Sequence, residues 1–291
     1  MYGERKGTIM GMKRVLVIGE KSYIGKSFKT FAKNRYELKM VNSRNQEWRS
    51  VDFTGYDSIL YCAGIAHVSC SKKMRTYYNE VNCDLAVDVA KKAKSENVKQ
   101  FIFISSILVY DIKNESKING ETMPNPVSIY GGSKHKAEQE LQKLIDDNLK
   151  LCIIRSPMVY GKYCKGNFYK LAKLVKIMPF FPDYSNRRSM IFIDNLCNLF
   201  CKLIDNNERG VFLPQNNECV STTELVCCIA KYYNKRIYKT KLFNPLICLL
   251  AKYIYIFEKM FSDLYYERSE NEYNIVDFEN SIRKSLDIFV R

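Results

Sequence analysis

Tyr130 and Lys134 stand four residues apart in Ser128-Ile-Tyr-Gly-Gly-Ser-Lys134. On a helix that spacing puts both side chains on one face. An ammonium beside a phenol favours the phenolate and is expected to draw the Tyr130 pKa down toward the working pH. Such a phenol can exchange a proton with an alcohol or ketone while a nicotinamide cofactor exchanges the hydride. A YxxxK spacing is common, and alone it is as readily a surface Tyr and Lys. Its weight comes from the neighbouring Phe101-Ile-Phe-Ile-Ser-Ser106, an apolar run that delivers a hydroxyl, Ser106, at its end.

The surrounding pattern supplies the frame. Arg14–Ile18 is a short continuous apolar run of the kind a parallel strand covered on both faces shows. Gly19-Glu-Lys-Ser-Tyr-Ile-Gly25 follows, and a helix is predicted from Lys26. Strand, glycine-punctuated turn and helix together are the context of a dinucleotide site. Gly19 allows the turn, Gly25 the close packing, and Ser22 stands where a third glycine is expected. Further strands are predicted over Tyr36–Val41, Trp48–Asp52, Asp57–Ala66, Gln100–Ile104, Leu151–Arg155, Met190–Asp194 and Gly210–Pro214. Helices are predicted over Asn79–Asn97, Ser133–Ile145, Asn167–Ile177 and Asn195–Asp205, with a loop over Met178–Arg188. Ser221-Thr-Thr-Glu is a capping box opening a last helix to about Tyr233. The alternation argues α/β, a Rossmann-like doubly wound parallel sheet with a smaller, mostly C-terminal α/β substrate-binding region. The expected division is 12–160 for the dinucleotide-binding part, with 190–205 returning to it, and 161–189 plus 206–291 for the substrate-binding region. Residues 1–11 read as a loose extension before the strand-forming start at Met12, with no signal peptide, and the location expected is cytoplasmic.

Asn42-Ser43-Arg44 ends the second strand without the acid that would hold the ribose hydroxyls of NAD. Ser43 and Arg44 could instead hold a 2′-phosphate, since a guanidinium grips phosphate bidentately. The cofactor expected is therefore NADP or NAD, the missing acid favouring NADP.

The 291 residues carry a formal charge of +15, which suggests an anionic partner: a phosphorylated small molecule, a membrane surface or nucleic acid. No run of Lys and Arg interleaved with aromatics stands out, so no nucleic-acid partner is expected. A solvated lysine-rich surface is the plainer alternative. The 11 cysteines are an odd number lying mostly in apolar runs, which reads as reduced thiols in a core. His67 with Cys70, and Cys197 with Cys201, are the nearest approaches to a metal pattern; with two histidines and no CxxC, no metal is expected. Pro245–Phe261 is apolar but broken by Lys252, Glu258 and Lys259, so it falls short of a spanning helix. It suits a buried or partner-facing helix, or a peripheral membrane contact.

Taken in chain order, these pieces resemble the extended short-chain dehydrogenase/reductases of the NAD-dependent epimerase/dehydratase family, from Met12 to about Thr240. Gly19-x-x-Ser22-x-x-Gly25 resembles its GxxGxxG loop, Ala63-Gly64-Ile-Ala-His67 its Ala-rich turn after the fourth strand, and Asn82 the asparagine of the following helix. Ser105-Ser106-Ile-Leu-Val-Tyr110 resembles the active-site serine segment, and Arg155-Ser-Pro157-Met-Val159-Tyr-Gly161 the segment beside the nicotinamide. Gly166-Asn167-Phe168 and Arg187-Arg188-Ser189 match positions that grip the sugar nucleotide's diphosphate.

The resemblance implies that Ser106 hydrogen-bonds the reacting sugar oxygen, that Tyr130 is the acid/base, and that Lys134 binds the nicotinamide ribose. It implies cofactor contacts from Gly19, Ser22, Tyr23, Ile24, Gly25, Asp52 (to adenine), Phe53, Ala63, Gly64, Pro157 and Val159. Substrate contacts are implied for His67, Ser106, Ile107, Asn167 and Arg188. The family's dehydratases place Asp-Glu after the catalytic hydroxyl; Ile107-Leu108 stand there instead, and neither can carry a proton. The expectation is an enzyme acting at C4 of a UDP-hexose derivative, a UDP-4-keto-sugar reductase ahead of a UDP-sugar 4-epimerase, working in surface polysaccharide synthesis as a homodimer. A cofactor-sensing binding protein without turnover is the alternative from another class.

Overall fold

The computed structural model describes residues 11–44, 46–66, 74–111, 117–253, 260–267 and 271–287. Six parallel strands form its centre: β1 (Arg14–Ile18), β2 (Glu37–Val41), β3 (Ser58–Tyr61), β4 (Gln100–Ser106), β6 (Lys150–Ser156) and β10 (Gly210–Phe212). They lie in the order β10-β6-β4-β3-β1-β2. Alternate residues of each inner strand face opposite layers. Val15, Val17, Leu60, Ile102 and Ile154 join one core with Phe28 of α1 (Tyr23–Ala32) and Phe200 of α6 (Ile193–Asp205). Leu16, Ile18, Ile59, Tyr61, Phe101 and Ile153 join the other with α3 (Leu85–Ser95) and α4 (Ile129–Gln142). Both faces are covered, so the strands read as unbroken apolar runs.

Strand β1 has β2 on one side and β3 on the other, so the chain reverses its direction of winding there. In such sheets the crevice outside the carboxyl ends at the reversal is the binding position. Two serines fix the helices that open onto it. The Ser22 hydroxyl accepts from the Gly25 amide at 2.9 Å and starts α1 at Tyr23, a turn earlier than the pattern predicts. The Ser128 hydroxyl accepts from the Gly131 amide at 2.9 Å and starts α4 at Ile129, which brings Tyr130 into its first turn.

Three short parallel pairs complete the rest: β7 (Met158–Tyr160) with β9 (Met190–Phe192), β8 (Phe180–Pro182) with β11 (Tyr238–Thr240), and β5 (Lys117–Ile118) with β12 (Tyr265–Tyr266). Around them lie α2 (Met74–Asn79), α5 (Asn167–Ile177), α7 (Thr222–Tyr232, with its capping box), α8 (Asn244–Tyr253) and α9 (Phe278–Leu286).

Three elements differ from the sequence expectation. Trp48–Asp52 is not a strand: Glu47–Arg49 is a 3₁₀ turn, because Trp48 buries itself against the α3 layer while Arg49 pairs with Asp88 at 3.0 Å. The helix over Asn79–Asn97 is interrupted by a π turn at Glu80–Asp84. Gly210–Phe212, grouped with the substrate-binding region, is the edge strand of the central sheet beside β6. All ten described cysteines are free thiols; Cys70 and His67 lie outside the described residues.

Candidate active site

The carboxyl ends of β1, β3 and β4 meet the amino end of α1 and the first turn of α4. At β1, the Gly19 amide donates to the Val41 carbonyl at 2.9 Å, and the Cys62 amide to the Ile18 carbonyl at 2.8 Å. Gly19 has φ +115°, and a Cβ there would lie 2.9 Å from the Ala63 nitrogen, so the position takes no side chain. The α1 first turn holds no acidic residue, leaving the helix terminus favourable to an anion. Ser43 and the exposed Arg44 follow β2 beside this turn, with the Arg44 amide donating to Asn42 Oδ1 at 3.0 Å.

On the other side of the crevice, α4 carries Tyr130 and Lys134. Lys134 is 4% exposed, and its Nζ donates to the Ile104 carbonyl at 2.9 Å and sits 4.6 Å above the Phe103 ring. Burial, unfavourable to the charged amine, lowers its pKa to about 8. A Cβ on Gly64 would meet Lys134 Nζ at 3.3 Å, so the β3 turn and this amine close on one another. Tyr130 departs from expectation. Burial pushes its phenol up to about 12, the hydrogen bond with Ser106 offsets this only in part, and Tyr78, edge-on at 6.3 Å, adds to the rise. The Lys134 ammonium does not depress the phenol here; it donates to the β4 backbone instead.

Supports lie beneath. Asn82, fully buried in the π turn, accepts from the Ile65 amide at 2.8 Å and donates to the Ile65 carbonyl at 3.1 Å and to Ser133 Oγ at 3.0 Å. It thereby ties the Gly64 turn to α4. Glu138, one turn beyond Lys134, accepts from Ser105 Oγ and from Arg155 Nη2 at 2.7 Å, and Arg155 Nη1 donates to the Tyr110 hydroxyl at 2.7 Å. Burial pushes the Glu138 carboxyl up, but His135, Arg155 and Ser105 outweigh it and hold it below the usual carboxylate range. Tyr266 donates to the Arg155 carbonyl.

Asn167, at the start of α5, and Arg188 line one cavity of about 250 Å³, together with Met158, Lys170, Ser221 and Thr222. Arg188 Nη1 donates to the Ser262 carbonyl at 2.9 Å. Arg187 turns away, its guanidinium 4.3 Å above the Tyr265 ring and lining a separate cavity of about 380 Å³. Met158 and half-buried Val159 lie on β7, directly after β6, so the Pro157 segment leads from the crevice to this cavity.

Five predicted contacts fall elsewhere. The Phe53 amide donates to Glu96 Oε2 at 2.5 Å, and its buried ring lies under Lys92, at the amino edge of the sheet and across it from Gly19. Asp52 is beside it, accepting from the Thr54 amide at 2.8 Å, so neither is placed to meet an adenine in the crevice. Ile107 is buried with Val109, Ile118, Leu264 and Tyr266, in a core of its own rather than on an open surface. The Tyr23 hydroxyl points down toward Gly161, where an added Cβ would be 2.7 Å away, so only its backbone faces the crevice. Ile24, like Tyr23, packs against the core between α1 and α6. His67 lies outside the described residues. Sequence reasoning passed over Tyr78, Lys170, Thr222 and Glu138; only Ser221 carried a signal, and that was its helix cap.

The same arrangement of strand, glycine turn and helix recurs in known proteins. The chain is 38% identical over 187 residues to a UDP-glucose 4-epimerase of Vibrio cholerae, a match spanning 58% of this chain and 54% of that relative's length. In three dimensions it resembles a UDP-N-acetylglucosamine 4-epimerase from Methanobrevibacter ruminantium (TM-score 0.75, 16% identity, 97% and 99% of the two chains covered). It resembles equally a dTDP-4-dehydrorhamnose reductase from Clostridium acetobutylicum (TM-score 0.73, 15% identity, 96% and 100% covered). Residues 10–212, which contain the glycine turn, Ser106, Tyr130, Lys134 and the Pro157 segment, match the NAD dependent epimerase/dehydratase family, and the chain belongs to it.

Proposed function

We propose that the chain is an NAD(P)-dependent oxidoreductase acting at C4 of a nucleotide-activated hexose, with reduction of a UDP-4-keto-sugar as its reaction. The observation that carries this reading is the meeting of Ser106, Tyr130 and the buried Lys134 at the carboxyl edge of β4, with only β3 between it and the Gly19 turn of β1. The crevice suits a dinucleotide: the Gly19 turn packs too tightly on the Cys62–Ala63 backbone to carry a side chain, the Ser22-capped helix starts at it, and Lys134 keeps donors beyond its bond to Ile104. When bound, a nicotinamide cofactor supplies the hydride. Lys134 would hold its ribose hydroxyls, and Ser43 with Arg44, at the end of β2 where no acid stands, would favour NADP over NAD.

The Tyr130 phenol, kept protonated by burial, would give its proton to the C4 oxygen while Ser106 holds that oxygen by a hydrogen bond. Arg188 and Asn167, on one cavity, would hold the diphosphate. A second reading, UDP-sugar 4-epimerisation, is favoured by the 38% identity to the Vibrio cholerae relative. Purified protein mixed with NADPH and a UDP-4-keto-hexose should consume NADPH and yield the reduced sugar. Interconversion of C4 isomers without net cofactor change would replace reduction by epimerisation. Cofactor binding with neither reaction on a panel of UDP-sugars and UDP-4-keto-sugars would replace both by the sensing role. Sedimentation of the pure protein would test the homodimer the resemblance implies.

A further inference from the structure

Helix α8 packs by one side only. Ile247 is buried in the core, and Asn244 Nδ2 donates to the Asp183 carbonyl at 2.9 Å. Leu246, Leu249 and Tyr253 recur three and four residues apart, which aligns them on one face, and all three are exposed. Leu242 and Phe243 extend that apolar row just before the helix, with Leu242 79% exposed. The preceding strand β11 pairs with β8, where Tyr238 and Phe180, both exposed, set their rings 5.8 Å apart. Single exposed apolar residues are ordinary, but a row of this length on one element is not.

The charge around it is one-sided. Residues 162–182 hold five lysines and no acid, and 235–253 hold four lysines, one arginine and no acid. These two segments are the ones joined through β8 and β11. Arg236, Lys239 and Lys241 are exposed and form no ion pair among the described residues. A second copy docking across a two-fold axis would set Arg236, Lys239 and Lys241 against the same three charges. An apolar row with a tyrosine at one end and a basic surround is instead what an interfacial helix presents to a bilayer. No helix among the described residues is long and apolar enough to cross a membrane, so the helix would lie in the plane of the surface.

We propose that the α8 face, with the lysines of α5 and β11 around it, docks on the surface of a bilayer rich in anionic phospholipid. This goes beyond the catalytic reading and does not depend on it. Leu174, Lys170 and Asn167 of α5 also line the cavity that holds Arg188, so docking would bring that cavity toward the headgroups.

The test is flotation of the full chain with vesicles of phosphatidylcholine alone and of phosphatidylcholine with about a third phosphatidylglycerol. Binding is expected to the anionic vesicles, to fall with added salt, and to drop at least roughly tenfold in Lys239→Glu/Lys241→Glu, as each basic residue near the surface contributes. Leu246→Asp/Leu249→Asp should abolish binding while nucleotide affinity and the unfolding midpoint stay unchanged, because both side chains are exposed. Failure of the wild type to float, or equal flotation of the leucine variant, overturns the proposal. So does a wild-type dimer that this variant converts to monomer, which would make the face a contact between copies.

Discussion

In the proposed reduction Tyr130 has to part with a proton at neutral pH, yet its surroundings hold the proton on: the phenol is pushed up to about 12 by burial. That suits a donor to an oxygen that gains charge as hydride arrives, since proton transfer in that direction needs the protonated phenol. Tyr130→Phe removes the proton and leaves the ring packing on Tyr78, so kcat should fall by roughly 10²–10⁴ with nucleotide affinity unchanged. Loss of affinity equal to the loss of rate, seen by fluorescence titration of NADPH, would reassign Tyr130 to binding. Lys134 sets a second, independent expectation. Its amine titrates at about 8 in the folded protein, and a free lysine near ~10.4. Between those values the unfolded chain holds the extra proton, so this group makes stability rise with pH across that window. Below it, the full cost of burying the ammonium is present. Urea midpoints compared with Lys134→Met should therefore converge as pH rises from about 8 to ~10.4. Nucleotide affinity should fall over the same range in wild type only.

At the scale of elements, the site depends on how closely α4 approaches the turn after β4. A Cβ on Gly131 would lie 1.9 Å from the Leu108 carbonyl oxygen, so only glycine permits that approach. Gly131→Ala should destabilise by about 1–3 kcal/mol and lower kcat further than stability alone explains, because Tyr130 rides on the displaced turn. Unchanged kcat with lowered stability would separate the helix position from the chemistry. The sheet was legible in the sequence because β1, β4 and β6 are covered on both faces and read as unbroken apolar runs. The Tyr130 and Lys134 pair was legible because helical spacing alone puts them on one face. Other parts were not. Val51 and Phe53 stand two apart as on one face of a strand, while Trp48 is buried from a 3₁₀ turn. The strands at 117–118, 158–160, 238–240 and 265–266 are too short for any period to show. Arg187 and Arg188 are chemically identical in sequence, and contacts such as that of Arg188 with Ser262, 74 residues away, set which of them lines the cavity.

Over the whole molecule, the family match ends at residue 212, yet the chain beyond it closes the structure around the site. Strand β12 pairs with β5, the Asn195 carboxamide oxygen accepts from the Ile275 and Val276 amides at 3.0 Å, and Ser281 on α9 meets Tyr160 at the end of β7. Tyr266 is buried, 2% exposed, and donates to the Arg155 carbonyl. That carbonyl belongs to the residue whose guanidinium holds Glu138 on α4, so the tail and the Tyr130 helix share one buried network. Tyr266→Ala should cost about 3–5 kcal/mol, by the cavity it leaves and the acceptor it strands. Tyr266→Phe, which keeps the ring, should cost about 1–3 kcal/mol. If the network transmits to the site, the phenylalanine variant will also lower kcat without raising KM, as Arg155 and Glu138 lose their fixed position below Lys134. Urea unfolding alongside steady-state kinetics measures both. A cost under about 1 kcal/mol for the alanine variant would make the tail an appendage resting on a finished fold.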